Sequence, residues 1–249
     1  NERNFVISYY SKDDELRRTT LFHPMIVEYN RKRVLPATIK VTAQEVPLTA
    51  ELIQQHFEHI SRVTAQLRED DSNPDLYFYR ALEFALVQDF PNAIEDLNKA
   101  IQLRGDFTLA YFMRANIRYK YTDYQKNNNR EANSPAISPE LRDLTESELT
   151  YKLDFEMIMR DFDKVAELQP DFSFTYYNKA NILSAQKDFK SAIQLYTRAI
   201  EKDKDFAEAY FNRGLTYLFI GEDSKGLADL SKAGELGIYG AYNLLQRFK

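Results

Sequence analysis

Several residue types that build chemistry elsewhere are scarce in this chain. It has no cysteine among its 249 residues, which excludes disulfides and thiol catalysis. The compartment stays open, because reducing and oxidising compartments both hold cysteine-free proteins. Glycine occurs seven times, three of them at Gly234, Gly237 and Gly240. That leaves little material for a phosphate-cradling loop or a nucleophile elbow, and neither motif is found. No apolar run approaches the length of a membrane-spanning helix, so no membrane insertion is expected. The net charge is −5, and the one short basic run, Arg31-Lys32-Arg33, reads as a solvated turn. Nucleic acid is therefore not an expected partner, since its phosphates require clustered Lys and Arg. The first residue is Asn1 and no targeting segment is visible, as expected of a trimmed chain or a part excised from a longer one. Composition points to a soluble protein and leaves its compartment, cytoplasmic or exported and periplasmic, open.

What the chain does have is a 34-residue step. Tyr77, Ala81, Phe84, Ala93, Leu97 and Ala100 recur as Tyr176, Ala180, Leu183, Ala192, Tyr196 and Ala199, and again as Tyr210, Gly214, Tyr217, Gly226, Leu230 and Ala233. Each copy places aromatic, small and apolar residues on one helix, then small, large and small residues on the next, so that two antiparallel helices press together. The copies begin at Pro74, Ser173 and Ala207. Between the first two lies another: Tyr111 and Ala115 supply its first helix, and Ile158, Phe162, Val165 and Pro170 match its second after about thirty skipped residues. On these residues the chain resembles bacterial multi-tetratricopeptide-repeat (TPR) proteins over about two thirds of its length. The resemblance implies a mainly α fold, an α-solenoid of helix-turn-helix repeats, and says little about the partner.

The repeats are expected at 74–107, 108–172, 173–206 and 207–240, with helices near 75–88, 91–103, 108–122, 153–168, 173–186, 189–202, 207–220 and 223–236. Residues 1–48 do not follow the repeat. Asn4 to Tyr10 is β-prone, Pro24 to Arg31 suits a short helix, and Leu35 to Thr42 alternates apolar with polar residues. This segment reads as strand, helix, strand. Thr49 is the expected N-cap of a capping helix over 49–70 with an apolar face of Leu52, Ile53, Phe57, Ile60, Val63 and Leu67. At the other end Ala241, Leu244, Leu245 and Phe248 form the stripe of a terminal cap, 241–249. The insertion in repeat two spans about 122–152. Its Asn127-Asn128-Asn129 run, Pro135 and Pro139 read as loop, while Thr145 to Glu148 has capping-box spacing before a short helix. A functional loop and a neutral insertion fit it equally.

Three constellations bear on function. His56 and His59 lie at i, i+3 on the capping helix, a spacing that can place two imidazoles on one metal. No third ligand is fixed by pattern, and an amphipathic flank explains both residues. No metal or other cofactor is therefore expected. At repeat position 7, apolar in most TPR proteins, stand Arg80, Arg114, Lys179 and Arg213; at position 23 stand Asp96, Asp161, Leu195 and Asp229. Arg and Asp vary together, as expected of bidentate pairs clipping the two helices of each repeat.

The third constellation rests on the resemblance, which implies a concave face lined by positions 2, 5, 6, 9 and 12. Position 5 is aromatic throughout: Phe78, Phe112, Tyr177 and Phe211. Nearby stand Tyr119, Asn116, Asn178, Asn181 and Asn212. An aromatic at position 5 can equally pack against the next repeat. Read together, these nine residues form a candidate groove in which Asn amides pair with the backbone of an extended peptide. The cations with which related domains grip a chaperone's carboxylate tail are missing: one register offers Phe78, Leu82, Met113, Phe174 and Asn178, the next Phe112, Asn116, Asn178, Glu208 and Asn212. The expected function is a non-catalytic scaffold binding an extended peptide or a partner's helix. One alternative is a structural segment of a longer solenoid that assembles through residues 1–48 or the insertion. A remote alternative is a metal-dependent enzyme using His56 and His59.

Overall fold

The computed structural model describes residues 5–10, 16–21, 49–132 and 146–246. Two strands, β1 (Phe5–Tyr10) and β2 (Leu16–Leu21), pair in a two-stranded sheet. Five intervening residues leave no room for a crossover, so the pairing is antiparallel. The β-prone run at the N-terminus is thus a strand, but its partner is Leu16–Leu21, a segment with no expected role. The expected helix from Pro24 and strand from Leu35 lie outside the described residues.

The remaining elements are helices in two compact units, Val46–Leu168 and Gln169–Lys249. The first unit holds α1 (Ala50–Glu69), α2 (Pro74–Leu86), α3 (Phe90–Leu103), α4 (Thr108–Ala132) and α5 (Glu146–Leu168). Thr49 caps α1 by accepting from the Leu52 amide, and Asn73 caps α2 with Pro74 in the first turn. Buried Ile60 and Leu67 mark the inner side of α1, which packs against α2. In each unit consecutive helices stack as α-solenoid repeats, with Ala81, Ala93 and Ala100 fully buried in the first and Ala180, Ala192 and Ala199 in the third.

At the insertion the helix expected from the capping box at 145–148 does begin there, but it is continuous with the next one, and the Asn run is not loop. The helices on either side of it lengthen: α4 runs ten residues beyond Thr122, straight through the Asn127-Asn128-Asn129 run, and α5 begins at Glu146, seven before the expected Leu153. Asparagine is a poor helix former, but extending an existing helix escapes the nucleation cost.

The second unit holds α6 (Ser173–Ala185), α7 (Phe189–Lys202), α8 (Ala207–Phe219), α9 (Asp223–Glu235) and α10 (Gly240–Leu245). Asp89 and Asp188 occupy equivalent turns, and each accepts from an amide three residues on, Asn92 or Ser191. The residue just before them is left-handed in both repeats, Gln88 at φ 63° and Lys187 at φ 68°, and Gly221 holds the same place at φ 81°. Ala241 is buried against Leu230, Ala233 and Ile238, with Leu244 and Leu245 alongside, so α10 closes its end of the second unit.

Candidate interaction face

Three of the four helix pairs are held by their position-7 side chain. Arg80 donates from Nε and Nη2 to the two oxygens of Asp96, both at 2.7 Å. Arg114 reaches Asp161 at 2.8 and 2.5 Å, and Arg213 reaches Asp229 at 2.7 and 2.8 Å. These are the three expected pairs. In every case Nη1 also reaches back sixteen residues to the preceding helix, donating to Thr64 Oγ1, Asn98 Oδ1 or Thr197 Oγ1. One guanidinium therefore ties three helices, and α1 stands in the register of a repeat's second helix. The pairing to Asp96 holds the Arg80 proton more tightly than usual. At Asp161 a further cation, Arg118, approaches to 3.1 Å. Burial, and then the charge of Arg114, lower the Arg118 pKa.

Repeat three has Lys179 and Leu195 instead, which cannot make such a clip. Its seam is polar and neutral. Tyr196 Oη donates to Asn181 Oδ1 at 2.7 Å, and Asn212 Nδ2 donates to the same oxygen and to Tyr177 Oη, both at 2.9 Å. Burial pushes the Tyr196 phenol well above its ordinary range, which keeps it a neutral donor.

The candidate groove residues are placed differently from expectation. Phe78, Phe112, Asn116, Tyr177, Asn178 and Asn181 are buried, the three asparagines to 1% exposure or less. Tyr119, Phe211 and Asn212 are half-buried. Asn116 Nδ2 donates to the Phe112 carbonyl of its own helix, and Asn181 belongs to the seam with Tyr196. Removing Asn116 or Asn181 is therefore expected to cost stability, because both are enclosed and hydrogen-bonded.

The position-5 rings pack within the stack. Phe78 meets Phe107 at 4.9 Å between centroids, Tyr177 meets Phe206 at 4.8 Å, and Phe112 meets Phe162 at 5.9 Å. Phe107 and Phe206 each precede a repeat, so the ring serves the next repeat's entrance. The Asp-Phe dipeptides at Asp106-Phe107, Asp171-Phe172 and Asp205-Phe206 carried this signal in the sequence. What stays outward near this face in the first unit is Tyr79, 49% exposed.

The other histidine expectation also changes. His56 Nδ1 lies 2.6 Å and His59 Nδ1 3.2 Å from the two carboxylate oxygens of Glu83 on α2. The carboxylate beside the two histidines thus comes from α2; on α1 itself Glu58 accepts from Gln54.

A family model described as TPR repeat matches residues 180–221. UDP-N-acetylglucosamine--peptide N-acetylglucosaminyltransferase of Giardia intestinalis is 37% identical over 73 residues, 29% of this chain and 5% of that protein. Mitochondrial import receptor subunit TOM70 of Rattus norvegicus is 26% identical over 168 residues, 67% of this chain and 24% of that protein. The chain thus spans less than a quarter of either relative. Among solved structures, a crystal structure of MamA matches at a TM-score of 0.56 and 15% identity, covering 77% of this chain and 96% of that one. With the repeat pattern and the helix pairs, these likenesses identify the chain as a tetratricopeptide-repeat protein of α-solenoid fold. Tetratricopeptide repeats are a protein-interaction architecture and are generally non-catalytic. No helix among the described residues is long and apolar enough to cross a membrane.

Proposed function

We propose that this chain is a non-catalytic scaffold that binds an extended segment or helix of a partner protein on the helix-A faces of its repeats. The carrying observation is the division of labour at those faces. Arg, Asp and Asn side chains hold the stack together, Asn212 among them, while Tyr79 in the first unit and half-buried Phe211 in the second remain at the surface. Outward rings with no cation beside them suit a neutral peptide, by ring contact with its side chains. The carboxylate-gripping positions hold Phe78, Leu82, Met113, Phe174 and Asn178, or Phe112, Asn116, Asn178, Glu208 and Asn212, none of them a cation. A chaperone's carboxylate tail is accordingly not the ligand proposed.

Selection from a displayed peptide library on the immobilised chain tests this. Enriched peptides should bind with free or amidated C-termini alike, and Tyr79→Ala or Phe211→Ala, made separately, should weaken binding to the affected unit by about 1–2 kcal/mol. Peptides that require a free carboxylate, or that bind both variants as tightly as the parent, would overturn the reading.

A further inference from the structure

We propose that His56, His59 and Glu83 form a binding site for a divalent transition metal of the zinc class, clamping α1 onto α2. Their ligand atoms all lie within 4.8 Å of one another, from two helices of one unit. Two imidazole nitrogens and a carboxylate oxygen are a donor set that zinc accepts, with a fourth position left for water. His59, half exposed, keeps that position open to solvent, while His56 and Glu83 are more enclosed.

Repeat register makes the cluster more than a chance meeting of polar side chains. The Arg80–Thr64 bond aligns α1 with α3 and α7, since Arg114–Asn98 and Arg213–Thr197 share its sixteen-residue offset. In that alignment His56 stands where α3 and α7 have Phe90 and Phe189, and His59 where they have Ala93 and Ala192. Glu83 on α2 stands where α4 and α6 have Ile117 and Ile182 and α8 has the neutral Thr216. Phe90, Ala93, Ile117, Ala192 and Ile182 are all at most 2% exposed. Against α3 and α4, whose matching residues are all apolar, this layer has three ionisable groups, and they converge on a single point. Such an exchange weakens the contact unless the polar groups gain a strong common partner.

The two separations to Glu83 are near those an ion needs, and side-chain rotation within the 4.8 Å cluster would bring the two imidazoles into range. Ligand atoms around tetrahedral zinc sit about 3.3 Å apart, given bonds near 2.0–2.1 Å. The His59–Glu83 separation of 3.2 Å already matches, and the 2.6 Å of His56–Glu83 needs only a small opening. Facing a carboxylate, each Nδ1 carries its proton toward Glu83. Metal binding through Nδ1 takes the other neutral tautomer: each Nδ1 gives its proton to solvent, Nε2 takes one up, and nothing is oxidised.

The test uses the full chain stripped with EDTA and titrated with zinc chloride against a chromogenic chelator. One zinc per chain is expected, together with a rise in the melting temperature. His59→Ala and Glu83→Gln should each weaken binding at least about tenfold and abolish the rise. His23→Ala should leave both readouts unchanged. His59 is exposed enough for its variant to stay folded, so it decides the matter if Glu83→Gln does not fold. Substoichiometric zinc, a His59→Ala variant that binds like the parent, or loss of binding in His23→Ala would each overturn the site.

Discussion

Repeats one, two and four close their seams with an Arg–Asp clip, whereas repeat three uses a neutral network of Tyr196, Asn181, Asn212 and Tyr177. The two devices differ in how fully they satisfy their atoms. In the clip both carboxylate oxygens accept from one guanidinium whose remaining edge reaches the neighbouring helix. In the network Asn181 Oδ1 accepts twice, but Asn181 Nδ2 finds no acceptor among the described residues. A planar, five-donor cation can satisfy three helices at once, and a Lys in the same place cannot. Position 23 therefore follows position 7: Asp where there is Arg, Leu where there is Lys.

The largest effect should come from breaking a clip by halves. Asp96 is 5% exposed, so Arg80→Ala strands a buried carboxylate and should cost about 3–5 kcal/mol in urea denaturation. Replacing both partners, Arg80→Met with Asp96→Leu, should cost far less, because no charge is left unpaired. Equal losses in the single and double variants would show that packing of the Arg stem, and not the charge pair, holds the seam.

Tyr196→Phe is the matching cut in repeat three. It removes one donor from Asn181 Oδ1 but leaves Asn212 in place, so a loss of about 1–2 kcal/mol is expected by the same measurement. A loss as large as that of Arg80→Ala would mean that the neutral network is the stronger device.

The clips were legible in the sequence because both partners sit at fixed repeat positions and change together. The groove was not. Position 5 reads the same whether a ring faces a ligand or the next repeat, and only the partner rings Phe107 and Phe206 decide between them. Asn181 looked like a surface amide because its partner, Tyr196, stands where Leu97 and Leu230 stand in other repeats. The His56–His59–Glu83 convergence was half visible: the two histidines share a helix, but Glu83 arrives from another helix 24 residues beyond His59, a separation that no local motif records. The extension of α4 ran against local propensity and followed from the helix before it.

The smallest effects should come from the turn between paired helices, where repeats three and four differ again. Lys187 and Gly221 hold the same left-handed place, at φ 68° and 81°. A side chain there strains the backbone by about 1 kcal/mol or more, while glycine avoids the strain but has more freedom to lose on folding. Gly221→Ala meets no atom within 4 Å, so its expected cost of about 1 kcal/mol is backbone strain alone. Lys187→Gly should stabilise by up to about 1 kcal/mol, since strain relief exceeds the added chain entropy. Urea midpoints for the two variants should move in opposite directions with unchanged slopes. If Lys187→Gly instead destabilises, the lysine side chain contributes more than its backbone costs, and the third repeat depends on its turn in a way the fourth does not.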